Sequence, residues 1–169
     1  NKDFVKVFTP HLVGVTGACE NLNTLFQVPY WGKTVFAAQT GQLYLELKTQ
    51  LHDQVYCWLQ SMRAEAESDG RHLTEFPLLE IEPKGKLDDL IINIENISTS
   101  GLKQVVDNCE EELIYLRLEP EYFKNLTFNR MTYSEAIDLL NDHGYTNLKF
   151  GDDLKREHEL KITDLKGAI

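Results

Sequence analysis

The chain has 169 residues, 42% hydrophobic and 26% charged, enough for one globular domain with its own core and too apolar for a disordered tail. Twenty-seven acidic residues against 17 basic ones give a net charge of -10, which excludes a general nucleic-acid binder acting through bulk positive charge, so any RNA contact must be local. Cys19, Cys57 and Cys109 lie far apart with no Cys-x-x-Cys pair, indicating neither a disulfide framework nor a zinc site. No segment approaches the roughly 18 apolar residues of a membrane span, and the opening Asn1-Lys2-Asp3 lacks the apolar core of a signal peptide, so a cytoplasmic protein is the default.

Taken in order, Phe4 to Phe8 is a β-type run ended by Thr9-Pro10, because a proline cannot continue a central strand. Val13 to Asn23, rich in Gly, Thr and Asn, reads as a loop. Thr34 to Ala38 reads as a short strand, and Gln39-Thr-Gly-Gln-Leu-Tyr-Leu-Glu46 turns into a helix. Leu43, Leu47 and Leu51 repeat there at helical spacing, a stripe expected to pack inward.

The next stretch concentrates the chemistry. An alternating apolar run, Val55 to Met62, enters a polar loop containing Asp69-Gly70, and a second run, Leu73 to Ile81, leaves it, which predicts an antiparallel strand pair. Residues two apart on a strand share a face. Ser61, Arg63 and Glu65 share one, and His72, Thr74, Phe76, Leu78, Glu80 and Glu82 share another, so an arginine, a histidine, an aromatic ring and several carboxylates can line one pocket. An arginine fork matches phosphate oxygens in a bidentate way and a nearby aromatic face can hold a purine, so the set suggests a nucleoside phosphate site.

After Pro83, Lys86 to Ile97 places Leu87, Leu90, Ile91, Ile94 and Ile97 at helical spacing, and Leu102 to Leu118 predicts a second helix after Ser98-Thr-Ser-Gly101, both as covers for a sheet. Glu110-Glu-Glu112 reads as a solvated face. A further helix starts with Thr132 or Ser134 as N-cap, before Ala136, Ile137, Leu139 and Leu140, and ends at Gly144. His158 between Glu157 and Glu159 is read as part of an exposed helix rather than a metal site, because adjacent helical residues do not face one point.

Arg63-Ala-Glu65, a loop with Arg71-His72, and Glu75-Phe76 resemble motif 2 of the class II aminoacyl-tRNA synthetases, in the form used by the aspartyl and asparaginyl enzymes. Phe4 to Pro10 resembles the tail of their motif 1, Gln39 to Tyr44 their Gln-Ser-x-Gln-Leu-Tyr segment, and Met131-Thr-Tyr-Ser-Glu-Ala136 and Gly151-Asp-Asp-Leu154 their later segments. The resemblance implies an α/β (α+β) core, a mostly antiparallel sheet flanked by helices. Residues 1–169 are then expected to be a partial catalytic domain that starts within motif 1, contains motif 2 and ends before motif 3.

It also implies roles. Arg63 is the catalytic residue that grips the α-phosphate of ATP, Arg71 and His72 reach the outer phosphates, Phe76 stacks on adenine, and Glu65 joins the ATP site. Glu20 falls on the glutamate that holds the substrate amino group, in a loop whose two family glycines are replaced here by Asn21 and Leu22. Gln39, Gln42 and Leu45 fall in the amino-acid site, and Leu45 stands where aspartyl members carry a lysine that pairs with the substrate carboxylate, which favours asparagine. Without that lysine a bound carboxylate is left unpaired at a cost of several kcal/mol.

The resemblance further implies ATP with Mg2+, whose ligands are expected beyond Ile169, tRNA engaged mostly through parts outside this chain, and a homodimer. The leading expectation is asparagine–tRNA ligase chemistry. The alternatives are an asparagine synthetase-like amide ligase on the same core and a non-catalytic dimerisation or regulatory paralogue.

Overall fold

The computed structural model describes residues 3–15, 22–66, 72–124 and 126–167, and the chain divides into two units, Asn1–Leu90 and Ile91–Ile169. The strands described belong to the first unit and form two three-stranded sheets. In one, Val5–Lys6 (β1) runs parallel to Gln54–Met62 (β5), which pairs antiparallel with Glu75–Pro83 (β6). The register from Gln54↔Pro83 to Met62↔Glu75 is unbroken. It follows from the alternation in both runs, since a one-residue slip would turn every buried side chain outward. Val55, Cys57, Leu59 and Ser61 are all buried on one face of β5.

In the other sheet, Lys33–Ala37 (β4) lies between Leu12–Val13 (β2) and Gln27–Tyr30 (β3). β3 was not predicted from the sequence, and it contains Pro29. The proline is tolerated there because β3 is an edge strand, where a missing N–H costs no ladder bond. Trp31 and Gly32 make the two-residue turn, both at positive φ (46° and 74°), the pattern of the primed hairpin turns whose twist matches the strands. Gly32 adopts it freely, whereas a tryptophan in the left-handed region is strained by about 1–2 kcal/mol.

The helix after β4, Gln42–Lys48 (α1), corrects the predicted stripe. Leu47 and Leu51 are 67% and 75% exposed and Leu43 is exposed too, while Leu45 is fully buried. Leu45 packs with Val13, Ala38, Val55, Cys57 and Leu59, with Phe36, Tyr44 and Leu78 against that cluster. Periodicity defines a stripe but not the neighbour it meets. The start of α1 is bonded to β6, and that tether sets which face turns inward.

The second unit is helical among the described residues. One continuous helix, Leu87–Asn108 (α2), runs through Ser98-Thr-Ser-Gly101, where a break was predicted. The penalty for an interior Gly, about 1 kcal/mol, is smaller than the cost of nucleating a new helix. The break falls at Cys109, followed by Glu110–Tyr115 (α3), with Glu110, Glu111 and Glu112 exposed, and Pro120–Lys124 (α4).

Tyr133–Asp142 (α5) starts on a capping box: the Glu135 N–H donates to Thr132 Oγ1, and the Thr132 N–H donates to Glu135 Oε2 at 2.6 Å. Gly144, at φ 109°, follows its end. In Arg156–Lys166 (α6), His158 is 5% exposed, contrary to the exposed position expected of it. Its Nδ1 accepts the Lys155 N–H at 3.0 Å and its ring meets Tyr145 edge-on, so it caps the helix from inside while Glu157 and Glu159 face solvent. Ala136, Leu140 and Ile162 form the core between α5 and α6.

Candidate active site

The ladder of β5 and β6 positions the first cluster. Residues directly opposite on paired strands share a face, so Ser61↔Phe76 places Phe76 on the inner face, and the Arg63 N–H donating to the Thr74 carbonyl at 2.8 Å extends the pairing one step further. Arg63 therefore projects beside Phe76. Its guanidinium carbon lies 5.7 Å from the ring centroid, within cation–π range.

Arg63, Glu65, His72, Leu73 and Phe76 line an open pocket of about 270 Å3. Arg63, Glu65, His72 and Leu73 are exposed and Phe76 is half-buried, so polar side chains stand at the rim beside an aromatic face. The structure thus brings together four of the five residues expected around ATP. Arg71, like Glu20, lies outside the described residues.

A second cluster sits further along the same face. Gln39 is 2% exposed, its Nε2 donating to the Thr24 carbonyl at 2.8 Å and to Thr24 Oγ1 at 3.0 Å, while its own carbonyl accepts the Ser61 hydroxyl at 2.8 Å. This residue holds the Leu22–Thr24 turn against the end of β5. Gln42 begins α1, with its Nε2 donating to Glu46 Oε1 at 2.8 Å. Leu45 offers buried apolar packing and no open surface.

Glu80 was placed on the Phe76 face by its strand period but not singled out as a site residue. Here it is the hub: the Gly41 N–H donates to Oε2 at 2.6 Å, the Thr40 hydroxyl donates to Oε1, and Cys57 Sγ lies 3.6 Å from Oε2. Thr40 Oγ1 in turn accepts the Gln42 N–H at 3.0 Å. A Cβ on Gly41 would stand 2.9 Å from Thr9 Cγ2 and 3.0 Å from both Cys57 Sγ and Glu80 Oε2, so glycine permits this close approach. The signal available in sequence was a carboxylate on the inner face of an apolar strand, which needs donors nearby.

Burial, and next the Glu80 charge, push the Cys57 thiol up to about 11, so it stays protonated. Burial also raises the Glu82 carboxyl above the usual range, with Glu46 and Glu80 adding like charge. Among the described residues no three His, Cys, Asp or Glu side chains are grouped to hold a metal ion. No helix of the described residues is long and apolar enough to cross a membrane.

The antiparallel hairpin that carries these side chains lies in a mixed α/β fold shared with solved class II aminoacyl-tRNA synthetase cores. Residues 1–163 match tRNA synthetases class II (D, K and N), and the chain belongs to that family. It is 35% identical over 93% of its length to the cytoplasmic asparagine–tRNA ligase of Debaryomyces hansenii, and 36% identical over 89% to the aspartate–tRNA(Asp/Asn) ligase of Sulfurisphaera tokodaii, covering 31% and 34% of those proteins. The asparaginyl-tRNA synthetase of Pyrococcus horikoshii, solved in complex with asparaginyl-adenylate, superposes with a TM-score of 0.89 at 34% identity, over 97% of this chain and 38% of that one. The chain thus spans about a third of the length of the relatives it matches.

Proposed function

We propose that this chain is part of the catalytic domain of an ATP-dependent asparagine–tRNA ligase, a longer protein of which these residues carry motif 2 and the end of motif 1. The observation that carries the reading is Arg63 set over Phe76, with Glu65 and His72 around one pocket. In it the adenine lies on Phe76 and the α-phosphate meets Arg63. The amino-acid carboxylate attacks that phosphorus, the bond to the β-phosphate oxygen breaks and pyrophosphate leaves; a tRNA hydroxyl then attacks the acyl carbon of the adenylate, gives up its proton, and AMP leaves. Arg63 neutralises charge that grows on the α-phosphate in the transition state, help worth several kcal/mol from a preorganised donor. His72 and Arg71 orient the leaving pyrophosphate, and Glu20, Gln39 and Gln42 belong to the amino-acid side.

Asparagine is favoured over aspartate because the aspartyl lysine position is the uncharged, buried Leu45. The reading includes a cytoplasmic homodimer, in keeping with the cytoplasmic relative and with Phe4 to Pro10 as the end of a dimer-forming motif. No step is assigned to Mg2+ within these residues. The test is amino-acid-dependent ATP–pyrophosphate exchange by the full-length protein. Arg63→Ala should slow it by about a hundredfold, the loss of one charge-assisted transition-state contact. Exchange at the wild-type rate would remove Arg63 from the mechanism.

A further inference from the structure

The turn joining β3 and β4 breaks a local rule without a folding reward. Trp31 sits at φ 46°, where asparagine or glycine is the economical choice, yet it is 89% exposed and buries almost nothing. What it does gain is Tyr30: the two rings stack with centroids 5.0 Å apart and planes 15° from parallel, and Tyr30 is itself 48% exposed. The result is a flat, solvent-facing aromatic pair at a hairpin tip.

Its electrostatic setting is unusual for this chain. Of the 27 acidic residues none falls between Leu22 and Leu45, so the hairpin and the sheet it belongs to carry no carboxylate. Lys33, exposed and next to the turn, is the charged side chain of that stretch. A polyanion repelled by the rest of a chain with a net charge of -10 can approach here.

We infer that Tyr30 and Trp31 form a stacking platform for an unpaired base of the RNA substrate, with Lys33 meeting the neighbouring phosphate. Every base has a π-face, so such a platform holds single-stranded nucleotides without reading their sequence. The inference rests on the proposed tRNA ligase reading for its biological ligand, and its chemistry is independent of that reading.

The experiment measures fluorescence anisotropy of a labelled single-stranded 12-nucleotide RNA and of a tRNA transcript with the full-length protein, alongside pyrophosphate exchange. Trp31→Gly relieves the strained turn and should keep or raise the melting temperature while weakening binding of both RNAs roughly five- to a hundredfold, the range of one lost base–aromatic stack. Trp31→Phe should retain most of the affinity, and exchange should be unchanged in both variants. Unaltered RNA affinity in Trp31→Gly would overturn the platform. So would a loss that tracks dissociation of subunits in sedimentation, which would assign the ring to a protein interface. If wild-type protein binds RNA through Trp31 but shows no exchange with any amino acid, the ligase reading fails and the platform stands.

Discussion

Replacing Leu45 tests its core packing against the part in substrate choice proposed for it. Leu45 has no exposed surface, and its neighbours Val13, Ala38, Val55, Cys57 and Leu59 are held by strand pairing and by the Ala38 N–H donating to the His11 carbonyl at 2.9 Å, so the site cannot collapse far. Leu45→Ala should therefore fall at the upper end of such truncations, about 4 kcal/mol, from lost transfer energy plus a persistent cavity. Leu45→Met, similar in volume, should cost less than about 1.5 kcal/mol. Leu45→Lys inserts a charge among apolar groups and should destabilise at least as much as alanine, so that any gain in aspartate-stimulated exchange comes with a lower melting temperature. Urea unfolding of the full-length protein, with exchange assayed against asparagine and aspartate below the transition, measures both. A Leu45→Ala loss under 1 kcal/mol, or a Leu45→Lys protein as stable as wild type, would refute the packing argument and turn the side chain toward the substrate instead.

The Glu82 carboxyl is raised by burial and by Glu46 and Glu80, so folding favours its protonated form. Its stabilising share is present below the ordinary carboxylate range, near pH 4, and is lost as pH rises through that range to the raised folded value. Glu82→Gln should accordingly raise the melting temperature at pH 7 and change it little below pH 4, as calorimetry at the two pH values would show; a lower melting temperature at pH 7 would contradict it. Because burial and Glu80 hold the Cys57 thiol at about 11, iodoacetamide at pH 7.5 should label Cys109 in the folded protein and reach Cys57 only after unfolding, as read by peptide mass mapping. Rapid native labelling of Cys57 would refute its protonated, buried state.

Where sequence was informative, it was because the signal was local. Alternation in Val55 to Met62 and Leu73 to Ile81 is a property of each run, and it grouped Arg63 with Glu65 on one strand and His72 with Phe76 on the other before the ladder from Gln54↔Pro83 to Met62↔Glu75 was seen. The N-cap, read as Thr132 or Ser134 and found at Thr132, is equally local. What failed depended on partners far away in sequence. The inward face of α1 is chosen by Glu80, about forty residues on, which bonds Thr40 and Gly41 and turns Leu45 in while Leu43 and Leu47 stay out. Pro29 sits in a strand because β3 is an edge, which no local pattern reveals. His158 between two glutamates looks solvated until Tyr145 is seen against its ring.

The parallel pairing of β1 with β5 has a kinetic meaning. The β3–β4 hairpin closes over two residues and can form in about 1–10 μs, and β5 meets β6 across one loop, but Val5 must find Val55 fifty positions away. Each doubling of a loop adds only about 0.6 kcal/mol to its closure, so distance alone does not forbid the contact; it delays it, because β5 must already be fixed before a two-residue strand gains anything by docking. The strand made before its partner is therefore among the last to join the sheet. Until it docks, the edge of β5 that will receive the Val7 N–H at the Tyr56 carbonyl is open to any other extended chain that arrives sooner.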